Sequence, residues 1–307
     1  TLYMKYEVLV ESFKRLEETT KRLEKTHIIA ELLRETEDDR LKEVLLMLRG
    51  KVFPDYDDRD LGISNKLAIK AISVATGYSE SDVEDSWREI GDLGEVTQEY
   101  IENKKQGTLF QKPLTLKKVY ETLESLPTYE GNGSTDQKIK RISKLLGLAS
   151  PIEAKYVIRT VLQDLRVGVA EGTIRDGIAW AYLDEVRPRY DEKDKSIDPE
   201  DRDVYEDSID LIQDKINITN DFYQVAKAAK KGKEELEKIT IQVGKPLKSM
   251  LAKRSKTIEE AFETTGKPSA LEYKYDGIRM QIHYWDDTVE IFTRRLERVT
   301  EQFPEVE

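Results

Sequence analysis

The chain contains no cysteine in its 307 residues, which excludes disulfides and thiolate metal sites and fits a reducing compartment. Histidine is nearly missing too. His27 falls where the spacing is helical and His283 where it is strand-like, and neither has a partner at metal-ligand separation, so no metal cage of protein side chains is expected. No apolar run approaches the length that spans a bilayer, and the start lacks the basic-then-apolar pattern of a secretory leader. Together these absences predict a cytoplasmic protein with no membrane partner.

Charge is abundant. Asp, Glu, Lys and Arg make up 36% of the chain and leave a net charge of −11, which at first argues against a nucleic-acid partner. The distribution weakens that objection. Residues 184–214 hold thirteen Asp and Glu against five Lys and Arg, whereas Lys138, Lys140, Arg141 and Lys144 form a basic cluster. Lys227, Lys230, Lys231 and Lys233 form a second, and Lys245, Lys248, Lys253, Arg254 and Lys256 a third. Segregated positive charge suits phosphate binding, although such runs also serve as plain solvated faces.

The length predicts two domains, and the patterning divides them. Up to about residue 235 the chain reads as helices: Tyr6, Leu9, Val10, Phe13 and Leu16 follow helical spacing, as do Ile139, Ile142, Leu145 and Leu146. Ser134-Thr135-Asp136-Gln137 and Ser150-Pro151-Ile152-Glu153 both match the capping box. After the second, Ala154, Val157, Ile158, Val161, Leu162 and Leu165 form one stripe; Gly168 is expected to stop that helix and Thr173 to cap the next. Two glycine-bearing junctions, Gly131-Asn132-Gly133-Ser134-Thr135 and Arg166-Val167-Gly168-Val169-Ala170-Glu171-Gly172-Thr173, precede helices whose free N–H groups could meet phosphate or be ordinary caps.

The C-terminal stretch changes period. Leu271 to Tyr275 reads as a strand, Asp276-Gly277 as a hairpin turn, and Ile278, Met280, Ile282 and Tyr284 then alternate with Arg279, Gln281 and His283, predicting a buried and a polar face. Asp286-Asp287 marks a further turn before a strand at Val289 to Thr293. Such a sheet would present Lys274, Arg279 and Arg294 from neighbouring segments. The resemblance of this lysine segment to the K-x-D-G-x-R motif of covalent nucleotidyltransferases implies an amine that attacks phosphorus. An amine does so only when neutral, so burial and nearby cations are expected around Lys274.

Lys274-Tyr275-Asp276-Gly277-Ile278-Arg279 resembles the K-x-D-G-x-R motif of covalent nucleotidyltransferases. Gly244-Lys245-Pro246-Leu247-Lys248-Ser249-Met250-Leu251-Ala252 resembles the P-L-K-P-M-L-A segment that opens the adenylation domain of ATP-dependent DNA ligases, with Ser249 in place of proline. Phe292-Thr293-Arg294-Arg295-Leu296-Glu297 resembles the ligase F-S-R-N-x-E motif, with Thr293 for Ser and Arg295 for Asn. The two glycine junctions resemble the G-S-G-S-T and L-R-x-G-x-A-E stretches of the ligase DNA-binding domain, and the likeness to archaeal and eukaryotic-type ligases runs through most of the chain, including Val52-Phe53-Pro54 and the segment from Asn220 to Gly232.

That resemblance implies an all-helical DNA-binding domain over residues 1–238. It implies an incomplete, antiparallel-sheet adenylation domain over 239–307, truncated before its later motifs and its OB-fold domain. It implies a monomeric, nucleoid-associated enzyme of replication, repair and recombination that uses ATP and Mg²⁺ to seal nicked double-stranded DNA through a lysyl-AMP intermediate. Lys274 would be the nucleophile; Glu272, Arg279 and Arg294 would hold the nucleotide; Asp276 and Gly277 would shape the loop. Gly133, Ser134, Thr135, Lys138, Arg141, Arg166 and Gly168 would contact DNA. Gln106, Leu109 and Phe110 match a sliding-clamp motif with one aromatic where two are usual, or else form a loop tucked into the core. The alternatives are an RNA ligase or capping enzyme, against which the long helical module argues, and a non-catalytic DNA-binding, clamp-interacting module.

Overall fold

Apolar residues three and four apart turn most of the first 237 residues into helices. The computed structural model describes residues 4–57, 59–104, 113–186, 189–249 and 254–306. The first ten helices are α1 (Tyr6–Glu18), α2 (Arg22–Glu35), α3 (Leu41–Leu48), α4 (Asn65–Thr76), α5 (Glu80–Ile90), α6 (Leu93–Glu102), α7 (Leu116–Glu124), α8 (Ser134–Leu148), α9 (Pro151–Val161) and α10 (Glu171–Tyr182). A short hairpin follows, β1 (Arg189–Asp191) with β2 (Ser196–Asp198), and then α11 (Arg202–Thr219), α12 (Phe222–Ala229) and α13 (Lys233–Glu237). Beyond these come α14 (Ile258–Thr265) and a second antiparallel hairpin, β3 (Met280–Trp285) with β4 (Thr288–Thr293). A mostly helical body followed by a small antiparallel sheet is the architecture expected from the sequence.

One continuous apolar core runs from Tyr6 to Ile239, and the predicted stripes of α1 and α8 are buried in it. Two helix pairs approach so closely that only glycine fits. A Cβ on Gly177 of α10 would stand 2.5 Å from Ile29 Cγ2 of α2, and one on Gly94 of α6 would stand 2.8 Å from Arg159 Cγ of α9. The second pair encloses a buried charge. Arg159, 3% exposed, donates to Asp92 at 2.6 and 3.1 Å and to Glu17 at 2.9 and 3.2 Å, joining α1, α6 and α9.

The local expectations meet mixed outcomes. The capping box at Ser150 and Glu153 forms, with proline at the first helical position. The one at Ser134 does not: Gly133, at φ +81°, takes the N-cap position, so α8 begins one residue early and Ser134 is already helical. The stripe from Ala154 to Leu165 is not one helix. The helix ends at Val161, Gln163 and Arg166 adopt φ +54° and +58°, and Leu165 reaches the core through the turn. Periodicity reports burial, and here burial outlasts the helix. Gly168 therefore does not stop α9. Nor does Thr173 cap α10: Ala170 is the N-cap and Thr173 is buried inside the helix.

In the second hairpin, Asp286 and Asp287 form the predicted two-residue turn, both at positive φ. The strand expected at Leu271 to Tyr275 is absent, as is the hairpin at Asp276-Gly277, because among the described residues nothing pairs with that stretch and its side chains stand in solvent. The period-two pattern of β3 holds, but its faces are reversed. Ile282 and Tyr284 are exposed, while Gln281 and His283 turn inward. The polar pair has partners there. The Gln281 carboxamide accepts from Leu247 N–H at 2.8 Å and donates to Leu247 C=O at 2.6 Å, and His283 Nδ1 accepts from Gly244 N–H at 2.9 Å. Segment 244–248 thus lies between β3 and the helices, where Lys248 N–H donates to Asn217 C=O at 3.0 Å and the Asn220 amide donates to Pro246 C=O.

Candidate functional site

The lysine motif emerges from an extended stretch rather than a strand. Residues 271–279 are all exposed, Leu271 at 90% and Tyr273 and Tyr275 nearly as much, and Gly277 sits at φ +146°, a conformation open to glycine. Glu272, Lys274, Asp276 and Arg279 make no side-chain hydrogen bond or ion pair among the described residues. The burial expected around Lys274 is therefore not present: among the described residues no element packs over the stretch that carries it. The sheet does bring the two arginines to one end, because Met280 pairs with Thr293 and so sets Arg279 and Arg294 at the same edge of the hairpin.

Arg294 stands on a well-made turn. Phe292 is buried, the Thr293 hydroxyl accepts from the N–H groups of Arg295 and Glu297 at 3.2 and 3.3 Å, and it donates to the Glu297 carboxylate at 3.0 Å. Leu296, at φ +71°, tucks its side chain inward, which leaves Arg294 and Arg295 at the tip. This explains the spacing of Thr293, Arg294 and Glu297: the first and last build the turn that holds the middle one out.

That tip faces a cavity of about 390 Å³, lined on the other side by the loop between Lys51 and Leu61 and by Gln163, Glu171, Asn220 and Lys248. Glu171, at the first position of α10, receives Lys248 at 2.5 Å and Arg49 at 2.8 Å. Burial pushes its carboxyl up, but these cations outweigh it and hold Glu171 below the usual carboxylate range. Asp55 is held down against the same opposition by Arg49 and Lys51. Nothing in the sequence brought Arg295 to Lys51 and Arg59; the last two share one loop, while Arg295 is far along the chain and joins them only in the fold.

The expected DNA contacts rest on two separate supports. On α8, Lys140, Arg141 and Lys144 are exposed along one face with Tyr129 beside them, and the Arg141 guanidinium lies 5.5 Å from that ring's centre. Gly133 and Thr135 are exposed at its start, Ser134 half so. Lys138 is turned away, donating to Leu61 C=O at 3.0 Å. Arg166 and Gly168 belong to the turn after α9. Arg166 donates to Asp164 at 2.7 Å and to Gly91 C=O at 3.1 Å, and Lys25 donates to the carbonyls of Val167 and Gly168 at 2.6 and 2.9 Å. The sequence names Lys140 and Lys144 only as members of a basic cluster and gives no sign of Tyr129; the helical spacing of Lys140, Arg141 and Lys144 is the available signal. Gln106, Leu109 and Phe110 lie outside the described residues.

Among the described residues no three His, Asp or Glu side chains are placed to hold a metal ion, and no helix is long and apolar enough to cross a membrane.

Comparison with known sequences agrees with this layout. The family described as DNA ligase N terminus matches residues 5–179, and that described as ATP dependent DNA ligase domain matches residues 249–307. A DNA ligase of Thermococcus fumicolans is 41% identical over 304 residues, covering 99% of this chain and 50% of its own length. A DNA ligase of Methanothermobacter thermautotrophicus is 42% identical over 306 residues, covering 99% and 50%, and one of Nanoarchaeum equitans is 42% identical over 304 residues, covering 99% and 49%. The chain spans about half the length of the curated relatives it matches.

Proposed function

The chain belongs to the ATP-dependent DNA ligase family, and from that premise we propose that it carries the duplex-binding part and the nucleophilic lysine of an enzyme that seals nicks in DNA. The observation that carries this reading is the presence of Lys274-Tyr275-Asp276-Gly277-Ile278-Arg279 inside the stretch matched by the ligase domain, behind a helical body matched by the ligase N terminus. We place the division between the two parts at residues 238 and 239, just after α13.

Lys274 Nζ would attack the α-phosphate of ATP, forming a P–N bond as the P–O bond to pyrophosphate breaks and the amine loses its proton. The adenylate would pass to the 5′-phosphate of a nick, and the 3′-hydroxyl would then displace AMP. Arg279 and Arg294, both without acidic partners among the described residues, are suited to charge on the transferring phosphoryl group. Glu272 would accept from the base, and Asp276 and Gly277 would set the path of the loop. Magnesium would be held mainly by the phosphates. The exposed face of α8, with Lys140, Arg141 and Lys144, supports duplex binding through Gly133 to Arg141, and Arg166 and Gly168 would form a second contact. Gln106, Leu109 and Phe110 would recruit a sliding clamp. The enzyme would act as a monomer at the chromosome.

Because Lys274 is exposed in this chain, we expect the 307 residues alone to bind DNA without ligating it. The reading is tested by transfer of label from α-labelled ATP to protein in the natural gene product. Label should appear in the parent and vanish in Lys274→Ala, while binding of nicked duplex persists. Lys274→Arg should fail as well, since a guanidinium stays charged and is a poor nucleophile. Labelled adenylate surviving on Lys274→Ala would remove this lysine from its role.

A further inference from the structure

The cavity between the helical body and the second hairpin has a charge balance unlike that of the whole molecule. Its lining holds five basic side chains, Lys51, Arg59, Lys248, Arg294 and Arg295, against three acidic ones, Asp55, Asp57 and Glu171, in a chain whose net charge is −11. The three acids are already engaged. Asp55 is taken by Arg49 and Lys51, Asp57 by a two-pronged contact from Arg59 at 2.6 and 2.9 Å, and Glu171 by Lys248 and Arg49. Arg294 and Arg295 have no acidic partner among the described residues.

We propose that this cavity is a phosphate-binding site shared by the two parts of the chain, with Arg295 beside Arg294 as its main ligands and Lys51 flanking them. Guanidinium groups match phosphate oxygens in a forked geometry, and a site whose acids are neutralised imposes little repulsion on an incoming anion. The turn favours the same outcome. Arg295 N–H is tied to the Thr293 hydroxyl and Leu296 is anchored inward, so the two guanidiniums start from a fixed backbone and lose less freedom on binding. The site goes beyond the ligase reading, which assigns phosphate contact to Arg279 and Arg294, only the second of which lines the cavity, and has no role for Arg295, Lys51 or the cavity wall.

The phosphate can come from two sources, the triphosphate of a nucleotide or the backbone of a DNA duplex. Binding of tripolyphosphate, ATP and a short blunt duplex to the 307-residue chain across a salt series separates them, with Arg295→Gln and the double variant Arg295→Gln/Lys51→Gln compared with the parent. Arg295 is exposed and Lys51 partly so, and a melting curve of each variant checks that the fold is kept. A nucleotide source predicts that tripolyphosphate and ATP lose affinity alike, by about tenfold in Arg295→Gln. A duplex source predicts that the slope of log affinity against log salt shrinks by about one for each removed contact. Either result supports the site. Parent-like binding of all three probes in both variants overturns it, as does a parent that binds none of them. Unchanged binding together with Lys274 labelling in the gene product would leave the ligase reading standing; weakened phosphate binding in a protein that never takes label would do the reverse.

Discussion

Replacing Arg159 with methionine removes a charge but keeps most of the volume, so its cost isolates the ion network. In the parent the guanidinium is 3% exposed and satisfies Asp92, whose side chain is 8% exposed, together with Glu17. The variant leaves Asp92 with Gly94 N–H at 2.7 Å and a distant Arg166 at 3.6 Å, and leaves Glu17 with Lys155 at 3.2 Å and the Tyr156 hydroxyl. Stranding one partner of a buried pair costs about 3–5 kcal/mol. For a domain of this size that is a fall in Tm of roughly 6–20 °C. The pH dependence is the sharper signature. Burial alone would raise Glu17, yet hydrogen bonds from Arg159, Tyr156 and Lys155 bring it down to about 2; Asp92 is also lowered against its burial, chiefly by Arg159. Both carboxyls are depressed on folding, so their stabilisation is complete above the ordinary carboxylate range and is lost as pH falls through the folded values. Stability of the parent should therefore decline between about pH 4.5 and 2, and Arg159→Met should start lower and decline less. Urea unfolding at pH 7 and at steps down to the acid limb measures both. A loss below about 1 kcal/mol with the acid limb unchanged would mean that the network is a bystander and that α1, α6 and α9 are held by apolar packing alone.

Charge reversal along α8, Lys140→Glu, Arg141→Glu and Lys144→Glu together, should weaken duplex binding and flatten its salt dependence with little effect on sequence preference; anisotropy titrations that match the parent would move the duplex surface elsewhere. Gln281→Ala removes both hydrogen bonds to the Leu247 backbone, each worth about 0.5–1.5 kcal/mol net, so amide exchange across residues 244–248 should quicken by about tenfold or more while the helices stay protected. Exchange at parent rates there would mean that the helices alone hold the segment.

Much of the helical body was legible locally. The stripes of α1 and α8, the cap at Ser150 with Glu153, and the two-aspartate turn before β4 follow from spacing and from short-range hydrogen bonds that a few residues settle among themselves. The order of the motif segments was legible for the same reason, and it carried the family assignment. Where a glycine competed with a serine for the N-cap of α8, local rules misplaced the boundary by one residue, since a left-handed glycine can serve the same position without a side chain.

By itself the sequence determined the helical class of most of the first part, the hairpin turn at Asp286-Asp287 and the family. Only the tertiary structure decided which side of β3 faces inward, because a period of two sets which residues share a face but not which face is covered. Gln281 and His283 won that place by meeting the unpaired backbone of segment 244–248. It also decided that Lys274 stands in solvent and that Lys51, Arg59, Lys248, Arg294 and Arg295 border one cavity. Desolvation and long-range charge pairing depend on what packs against a residue from elsewhere in the chain, and no local pattern contains that information.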